Sequence, residues 1–193
     1  MYQKRNKELE IIILFTENYK RELYLREISK LSKIPLKTTQ NLVNFLKENR
    51  ILKSAQRGKN KYFSLNQANI QTKLYILQAE LYKTIIFLEK YPQFKTFLKE
   101  VTIDNPIIVF GSFAKFTADK NSDVDILTIS EKELKLPSHL LSNKIQLINL
   151  SKNNFIVSLK KQETLIKEIE ENHTILNNHS FYANVMWDYY ARG

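Results

Sequence analysis

Asp123 and Asp125 head an apolar run, Asp123-Val124-Asp125-Ile126-Leu127. On a strand, residues two apart leave the same face, so both carboxylates point one way. Such a pair suits a hard divalent cation such as Mg²⁺, which keeps some waters and takes its remaining oxygens from substrate phosphates. Upstream, Pro106-Ile107-Ile108-Val109-Phe110 is β-branched enough to be a buried strand, and it ends in Gly111-Ser112. A glycine at a strand-to-helix turn lets backbone N–H groups come close to a phosphate, and the helix start adds a favourable partial charge. The Ser112 hydroxyl can donate to a phosphate oxygen, and Lys115 and Lys120 supply cations nearby.

Read together, the apolar strand, Gly-Ser, short helix and Ser122-Asp123-Val124-Asp125 resemble the signature of the DNA polymerase β-type nucleotidyltransferase superfamily. The small prokaryotic minimal nucleotidyltransferases are the nearest in size, and the resemblance covers about residues 92–175. It implies Asp123 and Asp125 as the catalytic, metal-holding pair, with Gly111, Ser112 and Lys115 binding the nucleotide. It also implies Mg²⁺ or Mn²⁺ and a nucleoside triphosphate, ATP being the expected one, as cofactor and substrate. Two positions depart from the family pattern. Phe116 stands where the helix pattern Gly-Ser-x-Ala-x-Gly ends in glycine, which is expected to alter the loop near the phosphates. The matching third strand, Lys144 to Leu150, contains no acid, so Gln146 or Asn149 occupies the place of the family's third carboxylate. A neutral amide can offer an oxygen but cannot act as a base. Glu163 and Glu168 are acids that a later helix could supply instead.

These residues need elements to position them, and the charge divides those elements in two. The formal charge of +10 lies wholly in residues 1–91, which carry 18 Lys and Arg against 8 Asp and Glu; residues 92–193 carry 12 of each. Such asymmetry points to a polyanion-facing module joined to a neutral one. Three helical patterns open the chain: Glu8 to Asn18 with Leu9, Ile12, Ile13 and Tyr19 inward, Leu25 to Leu31 with Leu25, Ile28 and Leu31 on one side, and Leu36 to Glu48. The third has Pro35 at its first turn, with Leu42, Val43, Phe45 and Leu46 inward. Two strands follow, Ile51 to Ser54 and Lys61 to Leu65, around a tip containing Gly58. This order resembles a winged helix-turn-helix domain over about residues 5–66, as in many prokaryotic transcription regulators. A helix in the major groove would present Lys37, Thr38, Gln40, Asn41 and Asn44 to double-stranded DNA, and the wing would bring Arg57, Lys59 and Lys61 to phosphates or an adjacent groove.

From Ile70 to Leu88 an apolar stripe at 70, 74, 77, 81, 85 and 88 marks one long helix, which packs either on its own domain or against a second copy in a homodimer. Tyr91-Pro92 ends it. The expected organisation is a winged helix-turn-helix domain at 1–67, a helical connector or dimerisation helix at 68–91, and a nucleotidyltransferase-like domain at 92–193. The fold class is α+β with a small mixed sheet in the last part. In that part Phe94 to Glu100 and Glu163 to Asn172 read as helices, the latter with Leu165, Ile166 and Ile169 inward. The aromatic tail from Phe181 to Tyr190 reads as core or dimer contact in preference to base stacking. His139, His173 and His179 have no metal-ligand spacing and receive no role. The absence of cysteine removes disulfides and thiolate chemistry. Met1-Tyr2-Gln3-Lys4-Arg5 lacks a signal-peptide core, and no stretch approaches the roughly 20 apolar residues of a membrane span, so a cytoplasmic protein without a membrane partner is expected. Two functions follow. One is transfer of a nucleoside monophosphate, AMP from ATP, to a protein or nucleic-acid hydroxyl near DNA. Related minimal transferases act as antitoxins in toxin–antitoxin pairs, so the resemblance makes a HEPN-type toxin a protein acceptor. The alternative is a transcription regulator whose transferase fold has lost catalysis and serves nucleotide sensing or assembly.

Overall fold

The computed structural model describes residues 5–192, with the Arg192 side chain left aside, so the first four residues of the signal-peptide reading lie outside it. The chain forms two compact units, one of residues up to Ala79 together with those from Met186, the other of Glu80–Val185. Among the described residues no helix is long and apolar enough to cross a membrane.

The first unit runs through α1 (Lys7–Thr16), β1 (Leu23–Tyr24), α2 (Leu25–Ser32), α3 (Leu36–Glu48), β2 (Leu52–Arg57) and β3 (Asn60–Leu65). Local chemistry sets the boundaries. The Asn6 side chain accepts from Leu9 N–H at 3.1 Å and caps α1. Glu27 reaches back to Tyr24 N–H at 3.0 Å and caps α2, whose C-terminal Lys33 turns left-handed at φ +55°. Pro35 is the N-cap of α3, just ahead of the first turn where the sequence places it. The antiparallel β2 and β3 pair from Leu52 and Leu65 out to Arg57 and Asn60, leaving Gly58-Lys59 as a two-residue turn. β1 adds to the other side of β3, giving the order β1-β3-β2.

The core corrects several inward assignments. Ile11, Ile12, Phe15 and Tyr19 are buried on and after α1, whereas Leu9 and Ile13 are half-buried. Continuous Ile-Ile-Ile-Leu-Phe is apolar all round, so spacing alone cannot select its inner face. Leu31 and Phe45 are exposed, and the small Thr39 takes a buried position on α3 beside Val43 and Leu46. At the other end of the chain Tyr190 stacks on Tyr19 at 5.4 Å, with Lys20 above its ring.

α4 (Ile70–Lys90) is the long helix expected, but the stripe is not its inner face. Ile70 is 65% and Leu74 56% exposed, and Leu81 and Ile85 are exposed too. The buried positions are Thr72, Ile76, Ala79, Glu80, Lys83, Thr84 and Phe87. Leu77 and Leu88 of the stripe are half-buried, Leu88 against the core of the second unit, so its own chain covers the stripe only in part.

The second unit continues with α5 (Gln93–Lys99), β4 (Ile107–Phe110), α6 (Gly111–Ala114), β5 (Val124–Ile129), β6 (Ile145–Leu150), α7 (Lys152–Lys161), α8 (Thr164–Glu171), β7 (His173–Asn177) and the start of α9 (His179–Arg192). Its sheet has the order β6-β5-β4-β7, with β5 and β6 parallel and the other pairs antiparallel. Phe87, Tyr91, Phe94 and Phe97 pack on Ile107, Val109, Val124 and Ile126 as the core on one side of the sheet. α7 and β7 are not among the elements expected from the sequence.

The residues buried where the stripe was expected form an ionic cluster. Glu80 is fully buried, with Lys83 Nζ 2.9 Å and His173 Nε2 3.0 Å from its carboxylate oxygens. His173 Nδ1 lies 2.8 Å from the Ile169 carbonyl oxygen. Burial pushes the Glu80 carboxyl up, but the pull of His173 and Lys83 and their hydrogen bonds outweigh it and bring it from 4.5 to about 2. A carboxyl lowered on folding stabilises the fold above its unfolded value and loses that contribution as pH falls toward the folded one. Glu80→Gln is expected to cost about 3–5 kcal/mol at neutral pH, because it takes the counter-charge away from the buried Lys83 ammonium. Urea unfolding across pH checks it: the gap between natural and variant chains should close as pH drops from 4.5 to about 2, and a gap independent of pH would contradict the cluster's role.

Candidate functional site

Phe110 is the hinge of the site. Its backbone pairs with Asp125 on β5 on one side and with His173 on β7 on the other. The chain then turns at Gly111, whose φ of +66° lies in the left-handed region. A Cβ placed on Gly111 would sit 2.2 Å from Asp125 Oδ2 and 3.2 Å from its Cγ. Glycine is thus required twice over, for its backbone conformation and because the Asp125 carboxylate rests against its bare Cα. Phosphate approach accounts for a glycine here from sequence alone, whereas the carboxylate packed on it is visible only in the fold.

The short α6 leaves its first N–H groups without intrahelical partners, as any helix start does. The Ser112 carbonyl closes the turn, accepting from Thr117 N–H at 3.0 Å and Ala118 N–H at 3.1 Å. Phe116 has φ +58°, the region a glycine favours, so the loop keeps a glycine-like backbone. Its ring offsets that strain by packing at 6.2 Å on Tyr91 and 6.3 Å on Phe87. The expected alteration of the loop is met by aromatic packing.

Asp123 immediately precedes β5, and Asp125 lies within it, both half-buried. The turn before them is tied down by Asp119, which accepts from Asn121 N–H at 2.8 Å, and by Asn143, which donates to the Ser122 carbonyl at 2.8 Å. Asn143 has no motif that would have flagged it. Burial raises the Asp125 carboxyl above its ordinary value, and Glu168 and Asp123 add to the rise while Lys115 opposes it.

The parallel β5–β6 register separates the two amides considered for the third position. Gln146 is the partner of Asp125, and its Nε2 donates to Asp123 Oδ2 at 2.7 Å. Asn149 accepts from the Thr128 hydroxyl at 2.8 Å and donates to the Ser130 carbonyl at 3.1 Å, so it braces the end of β5 instead. Of Glu163 and Glu168, the former is the exposed N-cap of α8. Glu168 is the one the structure brings to the site, 3.5 Å from Lys115 Nζ. Among the described residues no three His, Asp or Glu side chains converge as a metal cluster. The pair of aspartates still fits a hard cation: both offer only oxygen, and the bare Gly111 Cα leaves room for one of them.

The decisive finding is that residues 92–178 match the family model described as Nucleotidyltransferase domain. This chain carries a nucleotidyltransferase domain. No curated protein and no solved structure matches it significantly. Within the domain, Gly111, Ser112, Lys115, Asp123 and Asp125 are brought together by β4, α6 and β5, while the exposed Lys120 lies in the turn between.

In the other unit, Gln40, Asn44, Lys59 and Lys61 line one cleft of about 780 Å³. Arg26 and Asn60 join them, two residues that helix and turn patterns alone had not singled out. Lys37 and Asn41 are exposed on α3 outside that lining, and Thr38 is half-buried. Arg57 is drawn aside: its guanidinium pairs with Glu22 at 2.6 Å and lies over the Tyr62 ring at 5.8 Å.

Gly111→Ala is expected to cost about 1–3 kcal/mol in urea unfolding, the range for a non-glycine residue held left-handed. Part of that cost should vanish in an Asp125→Ala background, where the collision is gone. Strict additivity of the two changes would refute the close packing of carboxylate on glycine.

Proposed function

We propose that the nucleotidyltransferase domain moves a nucleoside monophosphate, AMP from ATP, onto a hydroxyl of a protein or nucleic acid. The observation that carries this reading is the Asp125 carboxylate seated on the Gly111 turn with Asp123 beside it. Asp123 and Asp125 would hold Mg²⁺ or Mn²⁺, and the Gly111-Ser112 backbone with Lys115 would hold the triphosphate. A bound divalent cation supplies neutralisation of the phosphate charge. The acceptor oxygen attacks the α-phosphorus, the bond to the bridging oxygen breaks, and pyrophosphate leaves while the acceptor proton is released. Here the chain's residues act by orientation and charge, since nucleotidyl transfer asks for little else. Resemblance to the minimal transferases makes a HEPN-type toxin a protein acceptor to include.

A second reading has its own observation. Gln146 stands in register with Asp125 on the neighbouring strand and donates to Asp123, where a carboxylate would be needed as base. On that basis the domain binds nucleotide without transferring it and serves a regulator. Incubation of the full chain with α-labelled nucleoside triphosphate, Mg²⁺ or Mn²⁺ and cell extract separates the two. Label transfer that falls at least about 100-fold in Asp123→Ala is expected for the enzyme. Nucleotide binding without any transfer would decide for the regulator.

For the first unit we propose double-stranded DNA as partner and the winged helix-turn-helix as its fold. The succession helix, strand, two helices and hairpin supports this, as does a cleft lined by Arg26, Lys59 and Lys61 with the amides of Gln40 and Asn44. The amides suit base edges and the cations suit phosphates. Anisotropy titrations with duplex DNA between about 50 and 200 mM salt should show a log–log slope that falls by about 0.9 for each of Lys59 and Lys61 changed to alanine. Affinity indifferent to salt would rule out the phosphate contacts.

A further inference from the structure

Lys115 follows directly on α6, and its ammonium meets one carboxylate, that of Glu168 on α8 at 3.5 Å. The rotation of α8 is set by burial of Ile166, Ile169 and Glu170, which leaves Glu168 half-exposed on the flank that reaches Lys115. With its ammonium engaged by Glu168, Lys115 leaves the charge of the Asp123 and Asp125 carboxylates beside the Gly111 turn less opposed, an arrangement that repels a bare triphosphate. The Lys115–Glu168 pair is long and exposed at 42% and 44%, so it is weak and easily exchanged.

We infer that Glu168 is a specificity-determining residue: it occupies Lys115 until a metal-complexed triphosphate displaces it, and so discriminates against metal-free nucleotide. The inference rests on the nucleotide site proposed above and adds a selection rule to it. In the nucleotide-free chain Glu168 neutralises Lys115 and repels incoming phosphates. When nucleotide arrives with its cation, part of the phosphate charge is already cancelled, and Lys115 transfers from the carboxylate to the phosphates. No bond is made or broken in this exchange.

Calorimetric titration of the full chain with ATP, in EDTA and again in Mg²⁺, tests it without requiring turnover. The natural chain should bind ATP at least about fivefold tighter with Mg²⁺ than in EDTA. The near-isosteric Glu168→Gln should narrow that ratio by about fivefold, chiefly by tightening binding in EDTA. The tightening should shrink in a Lys115→Ala background, where there is no ammonium to release. If Glu168→Gln leaves metal-free binding unchanged or weakens it, the selection rule is overturned while the nucleotide site stands. If the natural chain binds ATP in neither condition, the site reading itself fails, and this inference with it.

Discussion

The second unit is organised around a single close contact, a carboxylate resting on a glycine Cα. Asp125 reaches Gly111 because antiparallel pairing sets it opposite Phe110, the last residue of β4. The side chain lies over the start of the next turn, where any Cβ would collide with it. Strand register, the left-handed turn and the placement of the acid are therefore one constraint. A shift of the β4–β5 register by one residue would send Asp125 to the other face of the sheet and empty the site.

That contact concentrates negative charge, and the surrounding residues moderate it by different means. Gln146 contributes a hydrogen bond without charge, Lys115 contributes charge at longer range, and Glu168 works against both. The aromatic packing of Phe116 on Tyr91 and Phe87 keeps the loop after α6 in a strained backbone conformation. The site thus draws its shape from the apolar core beneath it and its charge balance from side chains at the rim.

Much of this was legible in the sequence, for reasons that differ from one element to the next. The strand ending in Gly111-Ser112 and the Asp123/Asp125 pair are local patterns, and local patterns survive the absence of tertiary information. Gln146 could be named but not separated from Asn149, because only the parallel register tells which amide faces Asp125. α4 was misjudged because periodicity weighs apolar residues alone. Its inner face buries Glu80 and Lys83, and their partner His173 lies 93 and 90 residues away in sequence. His173 itself had no spacing to flag it and proves to be part of the unit's ionic interior. Glu168 and Glu163 could not be told apart as candidates until burial of Ile166 and Ile169 fixed the helix rotation.

The connection between α8 and β7 is a single residue, Asn172. The helix that carries Glu168 is thereby joined almost rigidly to the strand whose first residue pairs with Phe110. Length variation at this joint should be far less tolerable than in the long crossover between β5 and β6. One inserted residue would reverse which side chains of β7 face inward, removing His173 from Glu80 and disturbing the strand beside Gly111. Lineages descended from this chain should accumulate insertions in the crossover while the joint at Asn172 keeps its length.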